Sequence, residues 1–464
     1  MQEWIDILKH VALKLNLKEV YLVGGVVRDL LLKRPIQDFD ITVEKRPKDI
    51  AFLFAKKING HFVILDEEWE TYRVVKDNLY FDFTPFRGKD IISDLSARDY
   101  TINALAINIF QPEKIIDPFK GKIDLKNCIL RMVNKKALWE DPLRILRGFR
   151  ICAELNFDLE KETYFTIKRY APLLKNIAGE RIYQELKRLF LTENASYWIK
   201  EMGNSGIFSS ILPELDALKG VLQNGFHHLD VYGHSLLTLK HIESLILQPE
   251  NIILDFKKEI KEYVKEPFHI FCLKWAALCH DLGKPSTQEK KGNRFTFYGH
   301  NKVGAELFLN IASRLHFSNK EKDLISFLII HHLWPFHLLS LYQKNQLTLK
   351  AMHRIIRKSE PHTIGLFLLA LADNFAANGP GKPKDYDQEF INLFKEIMKI
   401  RKEFLSIKER HRLVTGHDII NWFKLKPGPI IGKLLQEIEE AQLAGKIKTK
   451  EEAKEWLERK IKEY

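Results

Sequence analysis

The sequence predicts an α/β domain at the N-terminus followed by a long all-α region, and three observations predict it. Residues 1–125 mix period-two apolar runs, the mark of strands, with runs of helical period. From about residue 126 strand patterning becomes rare and helical spacing takes over. The stretch "VGGVVRDLLLKRPIQDFDITV", 23–43, joins a strand to a helix through two glycines and then delivers two aspartates on the next strand.

Taken in order, "WIDILKHVALKL" has helical periodicity, "EVYLVG" reads as a buried strand, and "VVRDLLLKR" as a helix closed by Pro35. "DFDITV", "HFVIL", "TYRVVK" and "LYFDFTPF" read as strands, with "KDIAFLFAKKIN" a helix among them. The composition shifts near "DPFKGKIDL", 117–125, and a His-rich helical region opens at "ILPELDALKGVLQNGFHHLDVYGH". "NGPGKPKDYD", 378–387, is a Gly/Pro linker before a Lys/Glu-rich helical tail. The expected domains are therefore 1–125, 126–215, 216–385 and 386–464.

A length of 464 residues suits two to four domains, and 45% hydrophobic with 29% charged residues is a globular composition. The net charge of +12 points to an anionic partner, nucleic acid first, although a Lys-rich solvated surface gives the same total. Cys128, Cys152, Cys272 and Cys279 show neither C-x-x-C nor a disulfide-framework spacing and read as reduced thiols. The start "MQEWIDILKH" has no apolar core of a signal peptide, and the apolar run "IGLFLLALA", 364–372, is about half a membrane span. A cytoplasmic protein without a membrane segment is expected.

Gly24 and Gly25 do not complete G-x-G-x-x-G, and G-x-x-x-x-G-K-[ST] is absent, which removes the dinucleotide fingerprint and the P-loop. What remains is a glycine-opened helix start whose free N–H groups suit a phosphate, with Arg28 one turn in to add a charge-assisted contact. Asp38 and Asp40 are two apart on a strand and so share a face. Two acids on one face repel unless a cation sits between them, and all-oxygen ligation suits Mg²⁺. A turn after Pro35 with Asp38 as a cap is the plainer alternative. Asp82 supplies a third acid, in "LYFDFTPF", where an apolar residue is otherwise expected. Three such carboxylates could hold a pair of Mg²⁺ ions that activate an attacking hydroxyl and stabilise leaving pyrophosphate.

Further on, "EDPLRILRGFR" spaces Asp141, Arg144, Arg147 and Arg150 every three residues, roughly one side of a helix. With no compensating run of acids nearby, the three arginines favour an anion-binding face over a solvated one.

G-G-x-V-R-D, a helix and then D-x-D resembles the nucleotidyltransferase core of the polymerase-beta superfamily, and more narrowly the class II tRNA nucleotidyltransferases. That family includes CCA-adding enzymes and bacterial poly(A) polymerases. The resemblance implies a nucleotidyltransferase head followed by an all-α neck, an HD-type body and a helical tail. "ARDYTINALAINI", 97–109, resembles the R-R-D-F-T-x-N-A motif with Ala97 in place of its first Arg, which implicates Arg98, Asp99 and Asn103 in contacts with the nucleotide sugar and triphosphate. The resemblance gives Asp141 and Arg144 the task of reading the base, and places Arg147 and Arg150 toward the triphosphate. Physics supports the first assignment, because a carboxylate accepts from an exocyclic amine and a guanidinium donates to a neighbouring ring acceptor. Cytosine and adenine present that pair; uracil and guanine present a carbonyl to the carboxylate. "AGERIYQELKRLF", 178–190, resembles the neck motif E-R-I-x-x-E-L, with Glu180 and Arg181 bracing the helix.

His234, the His280–Asp281 doublet and Asp373 match the HD superfamily of metal-dependent phosphohydrolases, with His300 and either His331 or His332 where some members carry extra ligands. Imidazoles and carboxylates in such a set suit a divalent transition metal. The tail, 416–458, resembles that of HD-containing members and could contact a phosphate backbone or serve as a helical cap.

The resemblance thus implies a template-independent enzyme that extends tRNA 3′ ends from CTP and ATP with Mg²⁺, with no obligate protein partner implied. Only eleven residues, "RGKDIISDLSA", 87–97, separate "LYFDFTPF" from the "RDYT" motif. Full CCA-adding members are expected to carry a longer flexible loop there, so CC addition is the first expectation, CCA addition the second and A addition the third. A phosphohydrolase working through the HD site, with the head as an RNA-binding module, is the reading from another class. A non-catalytic RNA-binding protein is disfavoured because every acidic position is intact.

Overall fold

The structure, a computed structural model, describes residues 2–292, 294–409, 413–443 and 446–461. The chain divides into two compact units, Met1–Pro213 and Glu214–Tyr464. A finer division at 125/126 and at 385/386 is proposed from the sequence.

In the first unit, besides a small parallel pair of Ile129–Leu130 with Asp158–Leu159, seven strands are laid down in chain order: β1 (Val20–Val23), β2 (Asp38–Val43), β3 (His61–Asp66), β4 (Thr71–Lys76), β5 (Leu79–Pro85), β6 (Ala106–Asn108) and β7 (Ile115–Ile116). They form one mixed sheet in the order β3-β4-β5-β2-β1-β6-β7. β2 and β5 are parallel, and every other neighbouring pair is antiparallel. Alternation fixes the two faces of its centre. Phe39 and Phe81 stack with ring centres 4.8 Å apart. Helix α1 (Gln2–Lys14) brings Trp4 to Phe81. Phe54 also reaches Phe81 and Phe83, from a second covering helix, Pro47–Ile58. Each of the buried phenylalanine rings, Phe39, Phe54, Phe81 and Phe83, contributes about 1.5–3 kcal/mol by leaving water. Because the phenylalanines take that face, Asp38, Asp40 and Asp82 project from the other.

Helix α2 (Gly25–Leu31) follows Gly24, and the Pro47–Ile58 helix is α3. α2 stops at Leu31, short of the expected closure at Pro35. Lys33 turns to φ +55° and the Arg34 N–H bonds back to the Asp29 carbonyl at 2.8 Å, so the chain leaves the helix before the proline acts. After β5 come α4 (Ile91–Ser96), α5 (Gly121–Lys126), α6 (Lys135–Glu140), α7 (Leu143–Leu155), α8 (Lys161–Tyr170) and α9 (Gly179–Phe190), with α7 packed on α9. Asp141 is the residue just beyond α6, at φ −132° and ψ 89°. It therefore lies off the helix that its spacing suggested, and α7 carries only the three arginines.

The second unit is helical apart from one short hairpin, Glu289–Lys291 with Arg294–Thr296. Its long helices include Val231–Leu247, Pro267–Cys279, His300–Arg314, Asn319–His331, Thr363–Ala376 and Tyr386–Glu409. Among the described residues Asn319–Gln343 is long and apolar enough to cross a membrane, with 44% of its most apolar window buried in the fold. The C-terminal helices Gly416–Phe423, Pro429–Leu443 and Lys450–Ile461 close over an apolar core of their own that includes Ile419, Leu434, Ile438 and Leu457. Residues 444 and 445 of the expected tail segment, and 410–412 and 462–464 of the expected C-terminal domain, lie outside the described residues.

The Tyr100 hydroxyl donates to the Arg144 carbonyl at 2.6 Å, and Gly148 packs against that hydroxyl so closely that a Cβ there would collide with it. Gly148→Ala is expected to cost about 1–3 kcal/mol through overpacking. Urea denaturation checks it, and an unchanged midpoint would mean that Tyr100 moves aside freely.

Candidate active site

A cleft of about 970 Å³ opens on the acidic face of the sheet, at the upper end of the range for small-molecule sites. Gly24, Gly25, Arg28, Asp38, Asp40, Asp82, Arg98, Asp99, Asn103, Arg144, Arg147 and Arg150 all line it. Of the residues expected in the head and neck site, Asp141 is the one that does not.

The parallel pairing of β2 and β5 places Asp40 directly beside Asp82 and Asp38 beside Tyr80. Burial raises the Asp40 carboxyl; nearby Arg98 lowers it, and Asp82 and Asp38 raise it further. That repulsion is what a bound cation relieves, and the donor set is all oxygen, so these aspartates fit Mg²⁺. Asp82 departs from the expected free third ligand. Arg73, from β4, donates to both its oxygens at 2.7 Å in a bidentate pair. Gly24 holds φ +73°, and a Cβ there would stand 2.7 Å from Arg98 Nη1 and 3.3 Å from Asp40 Oδ2. Glycine thus leaves the gap between acid and arginine open.

The neighbouring arginines are braced. Arg28 donates to both Asp29 oxygens at 2.9 and 2.8 Å and to Asn103 Oδ1 at 2.8 Å. Arg98 is held by Asp94 at 3.0 Å and is mostly buried, unlike the exposed side chain of a plain helix start. Asp99 accepts from the Tyr100 N–H at 2.7 Å, from Asn103 Nδ2 at 3.0 Å and from Arg147 Nη1 at 3.3 Å. Burial pushes the Asp99 carboxyl up, yet Arg147 and these bonds bring it below the ordinary carboxylate range.

The expectation that the α7 arginines lack compensating acids is corrected. One acid, Glu154, stands on α7 itself four residues from Arg150, and the others come from elsewhere in the chain. Glu185, on α9, accepts from Arg147 Nε at 3.3 Å and from Arg150 Nε at 2.6 Å. Glu154 accepts from Arg150 Nη1 at 2.6 Å and from Arg188 Nε at 3.0 Å. Arg147 stays firmly charged against the pull of burial because Asp99 and Glu185 flank it. Glu185, Arg73 and Asp94 were missed from sequence. Arg73 had a signal, a charge at a cleft-facing position of "TYRVVK", and Asp94 had one in its i,i+4 spacing to Arg98; Glu185 stands in the quoted E-R-I-x-x-E-L motif, but spacing could not reveal its arginine partners.

Asp141 lies with its Oδ2 3.8 Å from Arg144 Nε, and Arg181 Nη2, on α9, reaches its two oxygens at 3.2 and 3.4 Å. Arg144 Nη1 donates to the Ala137 carbonyl at 3.1 Å. Burial lowers the Arg144 guanidinium, opposed by Asp99 and Asp141.

In the second unit, two sets of ligand atoms converge within 4.8 Å: His234, His280 and Asp373, and beside them Asp281, His300 and His332. His234 Nε2 lies 2.9 Å from Asp373 Oδ1, His280 Nε2 3.2 Å from Asp281 Oδ2, and His300 Nε2 3.3 Å from His332 Nε2. Burial pulls His280 down, but Asp281 and Asp373 outweigh it and push it up to about 8. Burial and the neighbouring His280 and His300 push His332 down to about 3. His331 instead stacks on Trp334 with ring centres 3.7 Å apart, which leaves His332 as the added histidine. Lys284 Nζ sits 2.6 Å from Asp281 Oδ2. Imidazoles facing carboxylates in a buried pocket fit a divalent transition metal.

The Poly A polymerase head domain model matches residues 20–131, and a model for the RNA and SrmB binding site of polymerase A matches 156–219. The HD domain model matches 231–378, and tRNA nucleotidyltransferase domain 2 matches 386–456. The chain is 30% identical over 449 residues to the A-adding tRNA nucleotidyltransferase of Deinococcus radiodurans, covering 94% of each chain. It is 30% identical over 447 residues to the CC-adding tRNA nucleotidyltransferase of Thermus thermophilus, covering 95% of this chain and 93% of that one. In fold it is similar to a Thermotoga maritima CCA-adding enzyme complexed with tRNA, with a TM-score of 0.64 and 21% identity over 98% of this chain and 94% of that one.

Glu185→Ala would leave Arg147 and the buried Arg150 without their shared carboxylate. Removing one partner of a buried ion pair costs about 3–5 kcal/mol. Chemical denaturation should show a loss of that order, and a loss below about 1 kcal/mol would mean that Glu154 and Asp99 suffice to compensate both arginines.

Proposed function

The chain belongs to the tRNA nucleotidyltransferase family of CC-, A- and CCA-adding enzymes, and within it we propose a CC-adding enzyme that uses CTP to extend tRNA lacking its 3′ CCA. The observation that carries this reading is the segment 87–97. It holds α4, capped by Asp90, whose carboxylate accepts from the Ser93 N–H at 2.8 Å and Ser93 Oγ at 2.7 Å. Asp94 within it accepts from the Arg87 N–H at 3.1 Å and pairs with Arg98. A short helix tied at both ends makes a poor lever for adjusting a base-reading pair from cytosine to the larger adenine.

In the proposed reaction the tRNA 3′-hydroxyl oxygen bonds to the α-phosphorus of CTP, the bond to the β-phosphate bridge breaks, and pyrophosphate leaves. Asp38 and Asp40 would hold Mg²⁺, which when bound supplies charge neutralisation at the attacking hydroxyl and the departing pyrophosphate. Arg28 and Arg98 face the triphosphate, Asp99 and Asn103 the sugar, and Asp141 with Arg144 reads the cytosine edge. Among the described residues no lysine or histidine lines the cleft, so the hydroxyl proton passes to a cleft carboxylate or to solvent. Arg147 and Arg150, bound to Glu185, contribute chiefly by holding α7 and Asp99 in place.

The HD site favours a second reading, a divalent transition metal held by His234, His280, Asp281 and Asp373 with phosphohydrolase chemistry, because ligand atoms of His234, His280 and Asp373 converge and Asp281 Oδ2 lies 3.2 Å from His280 Nε2.

Asp38→Asn or Asp40→Asn should abolish CMP incorporation while tRNA affinity in a filter-binding assay stays within about threefold of the unaltered protein, since a lost ligand acts on the transition state more than on RNA binding. More than about a tenth of the normal rate in either variant would remove these aspartates from catalysis. For the product, a tRNA lacking CCA supplied with CTP and ATP together should gain two cytidines and stop. Efficient addition of a terminal adenosine, read on a sequencing gel, would overturn the CC assignment.

A further inference from the structure

Two side chains assigned to base reading stand in an unusual relation. Arg144 lines the cleft, and its Nε is buried with no hydrogen-bond partner. The nearest carboxylate is that of Asp141, 3.8 Å away and beyond hydrogen-bond range. A buried guanidinium N–H left without a partner is costly, so the unopposed tendency is for Asp141 to swing onto Arg144. That closure would occupy the donor and the acceptor that a base must find free. Asp141 follows α6 with non-helical backbone, so helix geometry does not fix its side chain. What opposes the closure is Arg181, half exposed on α9, whose Nη2 bridges both Asp141 oxygens.

We propose that Arg181 is a positioning residue for base selection: it holds the Asp141 carboxylate away from Arg144, so that acceptor and donor both stay available to the incoming base. This rests on the reading of Asp141 and Arg144 as the base-selecting pair. One N–H shared between two oxygens leaves further lone pairs of Asp141 open to an exocyclic amine. Arg181 itself does not line the cleft, so it acts through Asp141.

The test measures kcat and KM for CTP and for UTP on tRNA lacking CCA, with Arg181→Ala, Arg181→Lys, Asp141→Ala and the Arg181→Ala/Asp141→Ala double variant. Arg181→Gln stands in should Arg181→Ala melt well below the unaltered protein. Base contacts bind ground and transition states alike, so Arg181→Ala should raise KM for CTP by about tenfold with kcat little changed. It should also narrow the preference for CTP over UTP by about tenfold, the size of one lost charge-assisted hydrogen bond. Arg181→Lys, which keeps the cation, should recover most of both. In the Asp141→Ala background, Arg181→Ala should move neither parameter beyond about twofold. A fall in kcat alone, or an equal loss with and without Asp141, would make Arg181 a structural brace and overturn the proposal. If Asp141→Ala itself leaves the CTP preference unchanged, the base-reading premise falls. That result differs from the one in which Asp141→Ala relaxes base choice while Arg181→Ala does not, which refutes the role of Arg181 alone.

Discussion

The parallel pairing of β2 with β5 is the constraint on which the catalytic half depends. In a sheet otherwise antiparallel, this pair sets Asp40 against Asp82 in register and turns Phe39, Phe81 and Phe83 together onto the opposite face. The aromatic face, covered by α1 and α3, supplies the burial that stabilises the pairing. The acids are carried on the other face as a consequence of period two, since a one-residue slip would exchange the two sets. Gly24 and Arg98 then close around Asp40, in a geometry that only a residue without a side chain permits.

The cleft is a network of charges that hold one another rather than a bare anion trap. Asp82 is tied to Arg73, Asp99 to Arg147, and Glu185 to Arg147 and Arg150. Arginines taken out of water together repel, and Arg73, Arg147 and Arg150 are each matched to an acid. This has a functional consequence. Arg28 and Arg98 stand in the cleft already oriented by Asp29, Asn103 and Asp94, so less rotamer entropy would be lost on contact with an anionic group. Asp141 is the exception, held by an exposed arginine and a backbone outside the helix.

The two units express the same sequence grammar differently. In the second, packing of the helices buries His234 and His300, and His280 and His332 just past the ends of theirs, in one pocket with Asp281 and Asp373 facing them. Lys284 adds a cation beside Asp281, so the pocket carries its own partial compensation. Burial pulls His280 down most strongly of any one cause, yet Asp281 and Asp373 together outweigh it and push it up.

By itself the sequence determined β1 to β5, the shared face of Asp38 and Asp40 and the family, because each is written in short-range period or in contiguous motifs, whereas β6 and β7, of three and two residues, are too short to carry a period. The strand alternation in "DFDITV" and "LYFDFTPF" is legible within a few residues. Tertiary structure alone decided that Asp82 is bound by Arg73, that His332 rather than His331 enters the HD pocket, and that Asp141 stands off its helix. It also decided that Glu185 and Asp99 join the local Glu154 in compensating the α7 arginines. Arg150 and Glu185 are 35 residues apart and Arg147 and Asp99 are 48 apart. Pairs so distant have no local signature: an ion pair is selected by desolvation once the helices pack, and spacing along the chain records only the faces that are free to meet.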